Sequence, residues 1–296
     1  MTLVVIGECM GELSLEGGQA AVGYAGDTFN TAIYLARLGL PVAYATAVGK
    51  GDPFSDGILA LMAREGVRRE LVVEVAGRLP GLYAIQRDAH GERSFYYWRE
   101  NAPARELMTL ADLNLLQRAM AGARLVYVSA ITLAILGEAG RAALLPLLKA
   151  APAVAFDTNY RARLWPDADV ARAAIEAVAG LSRYVSASVS DIQAFGGSPE
   201  ASARAWADAG AEVVLRGEDR AIEVLGPDGR ERFEAEPAVS VVDTTGAGDS
   251  FNAAYLATRL TDGAPAAAVA AGRRLAGVVV QHRGAVIPRE AMPPEA

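Results

Sequence analysis

The sequence predicts an α/β fold with a mainly parallel central sheet and a small β-sheet lid. Short apolar runs that indicate buried strands, such as Leu3–Ile6 and Val42–Val48, alternate with helical segments along the chain. The 296 residues are 52% hydrophobic and contain no linker, repeat or low-complexity segment. We therefore predict a single domain over residues 1–296, with lid strands contributed by about residues 10–25 and 71–99.

The composition argues against several classes of function. The net charge is −7 and no long basic run is present, so nucleic acid and anionic membranes are poor partners. The single cysteine, Cys9, excludes an internal disulfide and fits a reducing, cytoplasmic location. His90 and His282 lie far apart in the chain, which argues against a histidine metal site. No apolar run reaches the roughly 18 residues of a membrane-spanning helix, and the apolar start lacks the basic flank of a signal peptide.

One stretch, Asp243–Phe251, gives the strongest chemical indication. An apolar strand, Val239–Val242, leads into the glycine-rich turn Gly246–Gly248, and a helix begins near Asp249. Glycines allow close backbone approach and the first turn of a helix leaves N–H groups unpaired, so together they form an anion site. A carboxylate among those donors is suited to accept a proton from a hydroxyl. The alternative interpretation is a helix N-cap on a tight turn, a position that aspartate favours.

The stretch Asp243-Thr-Thr-Gly-Ala-Gly-Asp-Ser-Phe251 resembles the C-terminal signature of the ribokinase-like (PfkB) carbohydrate kinases. The resemblance implies a three-layer α/β/α sandwich that binds ATP and Mg²⁺, and it leaves a requirement for a monovalent cation open. It further implies that Asp249 is the catalytic base. The backbone amides of the anion hole would then be those of Gly246, Ala247 and Gly248.

A second polar stretch lies at the start of the first predicted helix. Asp27 and Asn30 are about one helical turn apart, so their acceptor and donor groups could hydrogen-bond to two neighbouring hydroxyls of a sugar. The alternative is an ordinary core helix capped by Asp27 or Thr28. The stretch Ala25-Gly-Asp-Thr-Phe-Asn30 resembles the family's N-terminal signature, with alanine in place of the first glycine. By that resemblance Gly26, Asp27 and Asn30 bind the sugar.

Three consecutive predicted strands interrupt the alternation of strands and helices. They are Leu71–Val75, Gly81–Arg87 and Glu92–Trp98, with a hairpin turn at Asp88–Gly91. Together with residues 10–25 they are interpreted as a small sheet that covers the site and excludes water. The aromatic face of the last strand also fits hydrophobic packing or a subunit contact. The family resemblance implies a homo-oligomer, either a dimer through the lid or a larger assembly.

A polar cluster follows the predicted strand Ala153–Asp157. Open parallel sheets bind ligands beyond the carboxyl ends of their strands, so this cluster is placed for function. A surface loop with incidental arginines is the alternative. The cluster consists of Asp157, Asn159, Arg161 and Arg163.

Three stretches narrow the resemblance within the family. They are Phe156-Asp-Thr-Asn-Tyr-Arg-Ala-Arg-Leu-Trp165, Phe95-Tyr-Tyr-Trp-Arg99 and Val286-Ile-Pro-Arg-Glu-Ala-Met-Pro293. They are similar to the branch of the family whose substrate is the sugar acid 2-keto-3-deoxygluconate. That substrate has a carboxylate, which an arginine binds through two parallel hydrogen bonds. The resemblance implies that the carboxylate binds Arg161 and Arg99, that the lid contacts are Tyr83 and Tyr97, and that second choices are Arg163 and Arg105.

Further similarities concern the nucleotide. Where the family usually has a glutamate that organises Mg²⁺, in a Ser-x-x-Glu pattern, this chain has Asp191 in Ser-Val-Ser-Asp. The stretch Glu212–Gly217 resembles the family's strand followed by Lys/Arg-Gly, which contacts phosphates. His282 either touches the nucleotide or faces solvent at a helix end. The expected nucleotide contacts are Asn159, Ser188, Arg216, Gly217, Gly246, Gly248 and His282.

The residues and the resemblance together predict ATP-dependent phosphorylation of 2-keto-3-deoxygluconate at its 6-hydroxyl. The first alternative is a kinase of the same family for fructose or another neutral sugar. A second alternative, of a different class, is a non-catalytic sugar or nucleotide sensor, which the intact Gly-Ala-Gly-Asp disfavours. A dinucleotide oxidoreductase is disfavoured because no G-x-G-x-x-G follows the first strand.

Overall fold

The computed structural model describes residues 2–16, 19–87, 93–227, 229–236 and 240–294. The strands are β1 (Leu3–Ile6), β2 (Met10–Glu16), β3 (Gln19–Ala25), β4 (Val42–Lys50), β5 (Val72–Ala76), β6 (Leu82–Arg87), β7 (Arg93–Trp98), β8 (Leu125–Ser129), β9 (Val154–Asp157), β10 (Tyr184–Ser188), β11 (Glu212–Arg216), β12 (Ile222–Gly226) and β13 (Gly229–Phe233). The helices are α1 (Asp27–Arg37), α2 (Pro53–Glu65), α3 (Leu107–Leu110), α4 (Leu113–Ala121), α5 (Ala130–Ile135), α6 (Gly137–Ala150), α7 (Ala168–Ala179), α8 (Val189–Ala194), α9 (Pro199–Asp208), α10 (Ala247–Leu260) and α11 (Pro265–Val279). None of these described helices is long and apolar enough to span a membrane.

The central sheet has nine strands in the order β13-β12-β11-β10-β9-β8-β1-β4-β5. All neighbouring pairs from β11 to β5 are parallel. Strands β12 and β13 add an antiparallel hairpin at one edge. Every residue of β1 is buried, as expected for a parallel strand that is covered on both faces.

Alternate residues of β1 belong to two separate hydrophobic cores. Val4 and Ile6 pack in the core formed with α4, α6, α7 and α9. Leu3 and Val5 pack in the core formed with α1, α2, α10 and α11. Because successive side chains of a strand point to opposite faces, the two cores lie on the two faces of the sheet. The predicted three-layer α/β/α sandwich with a mainly parallel sheet is therefore confirmed.

A separate sheet of four strands has the order β3-β2-β6-β7. The strand predicted at Leu71–Val75 was expected in this sheet, and that expectation is wrong, because β5 pairs in parallel with β4 at the edge of the central sheet. The physical reason is that α2 separates β4 from β5 and supplies the helical crossover that a parallel pair requires. The hairpin turn predicted at Asp88–Gly91 lies outside the described residues.

The strand predicted at Val239–Val242 is not formed in the described part of that stretch, residues 240–242. Val241 and Val242 are exposed instead of buried. The backbone N–H groups of Val242 and Asp243 donate to the carbonyl of Val280, at 2.8 and 3.1 Å, just beyond the end of α11. The stretch is therefore held by a helix terminus and not by a neighbouring strand.

Candidate active site

A cleft of about 1000 Å³ lies between the carboxyl ends of the central strands and the four-stranded sheet. Asp157, Ser188 and Arg216 are the last residues of β9, β10 and β11, while Tyr83 and Tyr97 reach the cleft from β6 and β7. Open parallel sheets bind ligands at this edge. The sequence-predicted residues that line the cleft are Gly26, Asp27, Asn30, Tyr83, Tyr97, Arg99, Asp157, Asn159, Arg161, Arg163, Ser188, Asp191, Arg216, Gly246, Gly248 and Asp249.

The turn before α10 requires glycine at position 246 because of its backbone conformation and its close neighbours. Gly246 has φ 77°, in the left-handed region, and a Cβ there would lie 2.6 Å from the carbonyl oxygen of Ala285. Helix α10 begins at Ala247, so Gly248 and Asp249 lie in its first turn, where N–H groups have no carbonyl partner within the helix. The N-cap residue is Gly246. The alternative interpretation of Asp249 as the helix cap is therefore wrong.

The carboxyl group of Asp249 is buried against α1. Its Oδ2 accepts a hydrogen bond from Nδ2 of Asn30 at 2.8 Å, and its backbone carbonyl accepts one from Oγ1 of Thr31 at 3.3 Å. Burial raises the pKa of Asp249 well above its ordinary value, and the charge of Asp27 raises it further, while the donation from Asn30 opposes the rise. This carboxylate is therefore a stronger proton acceptor than a free aspartate.

The start of α1 contacts the loop after β9. Gly26 precedes the helix, and a Cβ at this position would collide with the carbonyl oxygen of Glu8. No side chain caps the helix, so the capping role expected of Asp27 or Thr28 is not found. Oδ2 of Asp27 instead accepts a hydrogen bond from Nδ2 of Asn159 at 3.0 Å. The predicted sugar-binding residues and the cluster after β9 thus meet in one place.

Arg99 forms a buried ion pair with Glu8, a residue that the sequence did not single out. The two side chains are 6% and 1% exposed. Burial raises the pKa of Glu8, and the guanidinium of Arg99 opposes that rise. The charge of Arg99 is therefore largely compensated within the protein. The one indication for Glu8 in the sequence was its place just beyond the carboxyl end of β1.

Two further arginines line the cleft. Arg161 is exposed, and its Nη1 donates to the carbonyl of Tyr160 at 2.8 Å. The guanidinium of Arg163 lies 3.8 Å from the centre of the Tyr97 ring, a cation–π contact. The sequence ranked Arg163 behind Arg161, but both lie at the cleft. Arg105, the other second choice, does not line it.

Tyr83 and Tyr97 line the side of the cleft that the four-stranded sheet forms. Their rings are stacked, with centroids 5.6 Å apart and planes inclined by 20°. The hydroxyl of Tyr83 donates to the carboxylate of Glu12. Burial and the charge of Glu12 raise the pKa of Tyr83, so the hydroxyl stays protonated. The four-stranded sheet therefore presents a fixed aromatic surface to the cleft.

Ser188 and Asp191 lie at the start of α8. Oγ of Ser188 accepts a hydrogen bond from the N–H of Asp191 at 3.0 Å, and Oγ1 of Thr158 donates to Oδ2 of Asp191 at 3.2 Å. Arg216 lies against the glycine turn, since a Cβ on Gly248 would be 3.2 Å from its Nη1. A carboxylate, a hydroxyl and a guanidinium thus line the same cleft as the first turn of α10.

Besides Arg105, three sequence-predicted residues do not line the cleft, namely Ala247, Gly217 and His282. The N–H of Ala247 donates to a turn carbonyl at 3.3 Å, and that of Gly217 donates to the carbonyl of Ala221 at 2.8 Å. Nδ1 of His282 lies 2.9 Å from the carbonyl oxygen of Val278, at the end of α11. These polar groups are engaged in local structure, which explains why the structure does not bring them to the cleft.

Asp157 was predicted only as part of a polar cluster, and the structure gives it a buried network. Its Oδ2 accepts from Nδ2 of Asn252 at 2.8 Å, and its Oδ1 lies 3.4 Å from Nη2 of Arg216. Asn252 also donates to the hydroxyl of Tyr127 at 3.1 Å and accepts from Ser186 at 2.6 Å. Burial raises the pKa of Asp157 to about 6, against the effect of Arg216. Nothing in the sequence analysis pointed to Asn252.

The three-layer sandwich, the small covering sheet and the glycine turn at the start of α10 define the ribokinase-like class of α/β proteins. The chain belongs to the pfkB family of carbohydrate kinases, whose family model matches residues 2–292. It is similar to a protein of Dickeya dadantii (strain 3937) named 2-dehydro-3-deoxygluconokinase, which is 40% identical over 307 residues. That match covers 98% of each chain.

Solved structures share the fold over nearly the whole chain. A PfkB protein from Polaromonas sp. JS666 is 26% identical with a TM-score of 0.83, and the match covers 97% of each chain. An Escherichia coli protein solved in complex with ATP and Mg²⁺ is 21% identical with a TM-score of 0.82, covering 99% of this chain and 96% of that one.

Proposed function

We propose that the protein transfers the γ-phosphoryl group of ATP to the 6-hydroxyl of 2-dehydro-3-deoxy-D-gluconate, giving 2-dehydro-3-deoxy-6-phospho-D-gluconate. The observation that supports this best is the buried carboxyl of Asp249, in the first turn of a helix behind Gly246 and 2.8 Å from Nδ2 of Asn30. The name of the D. dadantii relative supports the choice of substrate.

Asp249 is proposed to accept the proton of the 6-hydroxyl while the oxygen bonds to phosphorus and the bond to ADP breaks. The backbone amides of Gly246 and Gly248 and the guanidinium of Arg216 stabilise the charge that develops on the transferred group. The raised pKa of Asp249 favours this role, because a stronger base takes the proton more readily at neutral pH. The covering sheet excludes water, which would otherwise accept the phosphoryl group.

The sugar acid is proposed to bind beside α1 and under the lid. Asp27 and Asn30 would contact its hydroxyls, since each offers polar atoms at the cleft. Arg161 would bind the carboxylate, because its guanidinium is exposed and is not held by a buried acid. Arg99 would add hydrogen-bond donors, with its charge largely compensated by Glu8.

ATP and Mg²⁺ fit the donor set of the cleft. Within the described ranges, no group of three or more His, Cys, Asp or Glu side chains could hold a metal ion alone. Mg²⁺ usually binds one or two carboxylates together with substrate phosphates, and Asp157 and Asp191 line the cleft next to Ser188. Bound Mg²⁺ supplies charge neutralisation on the phosphates. We propose Asp191, Ser188 and Asn159 as the nucleotide side of the site.

The proposal is tested by coupled ADP release with ATP·Mg²⁺ and five acceptors: 2-keto-3-deoxygluconate, its galacto epimer, fructose, ribose and adenosine. We expect a rate on the keto-deoxy acid far above the others. A preference for fructose would retain a sugar kinase but remove the carboxylate role of Arg161. No rate on any acceptor would favour a sensor. Replacing K⁺ by tetramethylammonium in the same assay tests for a monovalent cation.

We further propose that the chain is one domain whose four-stranded sheet acts as the lid, and that two copies associate through that lid. Exposed apolar side chains lie on the edge strands of this sheet, among them Val22, Tyr96 and Trp98. Exposed apolar side chains on unpaired strand edges favour association with another chain. A cytoplasmic location agrees with the use of ATP and with the buried, unpaired Cys9.

A further inference from the structure

A second void, of about 780 Å³, lies outside the cleft between α5, α6 and α7. Its wall is mainly apolar, with Leu145 and Leu148 from α6 and Val170, Ala174 and Val178 from α7. A void of this size is within the range of small-molecule sites, which combine apolar walls with a few polar groups. We refer to it as the α6–α7 groove.

Three arginines line the α6–α7 groove, namely Arg105, Arg141 and Arg163. In the part of the chain that the structure describes, none of them lies within 4 Å of a carboxylate oxygen, whereas Arg172 on α7 is paired with Asp169. Glu138 is the one acidic residue of the lining, and it is exposed. In a chain of net charge −7, this is a local excess of positive charge. The groove is therefore electrostatically suited to an anion.

Arg141 is the cation most closely tied to the apolar wall. Its guanidinium lies 5.1 Å from the centre of the Trp165 ring, and its Nη1 donates to the carbonyl of Leu133 at 3.2 Å. Burial lowers the pKa of Arg141, and the charge of Glu138 opposes this shift without offsetting it, so the cation has lost water that its acidic neighbour does not fully replace. A carboxylate at this position would supply further negative charge and two acceptors.

We propose that the α6–α7 groove binds a small amphipathic carboxylate, with its carboxylate on Arg141 and its apolar body between α6 and α7. The apolar lining disfavours a polyhydroxylated sugar acid, whose hydroxyls would lose water without finding partners. A neutral apolar molecule would leave Arg141 with only the partial compensation that the exposed Glu138 provides. Both properties of the ligand, the charge and the apolar body, are therefore required by the lining.

The groove and the cleft share one residue, Arg163. Its guanidinium lies over Tyr97 of the lid at 3.8 Å. An anion in the groove draws this cation away from the cleft and so weakens attraction of the sugar acid there. This coupling rests on the proposed function, whereas binding in the groove does not. We expect a rise of about fivefold or more in KM for the sugar acid, with KM for ATP little changed.

The test is calorimetric titration of the full chain with 4-phenylbutyrate and with its neutral amide, 4-phenylbutyramide. Two variants disrupt the groove: Arg141→Gln removes the charge, and Ala177→Phe fills the space at an exposed position. Arg172→Gln is the matched control, because Arg172 lies on α7 outside the groove and pairs with Asp169 at 2.6 Å. We expect the acid to bind the wild type and the control with similar affinity. Its binding to both groove variants should be at least tenfold weaker, and so should the binding of the amide to the wild type.

Equal affinity for acid and amide, or an unchanged affinity in Arg141→Gln, would overturn the proposal. Self-association that Ala177→Phe abolishes would also overturn it, since a second copy would then cover the groove. Binding without a change in KM, in an enzyme active on the sugar acid, would remove the coupling through Arg163. Binding by a chain that phosphorylates no acceptor would support the groove site and contradict the proposed function alone.

Discussion

At the scale of single residues, three buried acids of the cleft differ in the group that stabilises their negative charge. Glu8 is paired with Arg99, and Asp157 is contacted by Arg216. The Asp249 carboxyl accepts from the neutral amide of Asn30. A carboxylate that is paired with a guanidinium is a weaker base, because the cation stabilises its charged form. Of the three acids, Asp249 is therefore the one suited to take a proton from a substrate.

Asp249→Asn should lower kcat by about 10²- to 10⁴-fold and leave binding of the sugar acid nearly intact, because it removes the proton acceptor and preserves the shape. The wild-type kcat/KM should fall on acidification at a pH above the roughly 4 of an ordinary aspartate, since the pKa is raised and the charged form is needed. Coupled ADP release across pH measures both. Asp169→Asn, an exposed acid, is the control. Near wild-type turnover in Asp249→Asn would remove Asp249 as the base.

Arg161→Ala should reduce kcat/KM for the sugar acid by about 10- to 100-fold, the size expected for a charge-assisted hydrogen bond. Residual phosphorylation of a neutral sugar should change much less, because no carboxylate is bound there. The measurement is kcat/KM on both acceptors in the same preparation. Arg172→Ala provides a control for loss of a surface arginine. Equal losses on both acceptors would mean that Arg161 does not bind the carboxylate.

Asp157→Asn tests the pKa of a buried acid through stability. In the folded protein Asp157 titrates near 6 and in the unfolded chain near 3.8, so protonation favours folding at low pH and this stabilisation is lost as the pH rises through about 6. The variant does not titrate. Its free energy of unfolding relative to wild type should therefore rise by about 2 kcal/mol between about pH 4.5 and about pH 7.5. Urea denaturation measures this, and a difference independent of pH would contradict the raised pKa.

At the scale of elements, the sequence predicted most strands and helices because their periodicity is local. The sequence predicted the strand β5 but assigned it to the wrong sheet. Its pairing with β4 depends on the helical crossover α2, which the apolar pattern of the strand does not reveal. The prediction also failed before α10, where Val241 and Val242 are exposed although apolar. In the site, Asp249 and Asn30 were predictable from short motifs. The pairing of Glu8 with Arg99 was not, since it joins two distant segments.

Gly246→Ala should destabilise the turn before α10 for two reasons. Gly246 has a left-handed φ, and its Cβ would lie 2.6 Å from the carbonyl oxygen of Ala285. Gly39→Ala is a matched control, because Gly39 has φ 84° but no atom within 4 Å of the added Cβ. Strain alone costs about 1–2 kcal/mol, so Gly246→Ala should lose more stability in urea than Gly39→Ala, and it should also lose kcat. Equal losses of stability would mean that Ala285 moves away at little cost.

At the scale of the whole molecule, the proposed binding sites carry local positive charge although the net charge of the chain is negative. A chain of net charge −7 is proposed to bind two anionic ligands in its cleft and a third in the α6–α7 groove, so attraction has to come from local groups. Two of the arginines at the cleft, Arg99 and Arg216, are already paired with acids. Arg161 and Arg163 then provide most of the uncompensated charge at the lid side. Both lie on the loop after β9, where the lid meets the central sheet.

The covering sheet should also determine the oligomeric state. Its two edge strands are β3 and β7, and Trp98 at the end of β7 is 57% exposed. Exposed apolar edges favour association with another chain, because the association buries their apolar surface and pairs the free strand edges. We expect a dimer in sedimentation equilibrium that Trp98→Ser weakens at least tenfold. Leu113→Ser, which removes a 41% exposed apolar side chain on α4, should leave it unchanged. A monomeric wild type at micromolar concentration would exclude the lid as an interface.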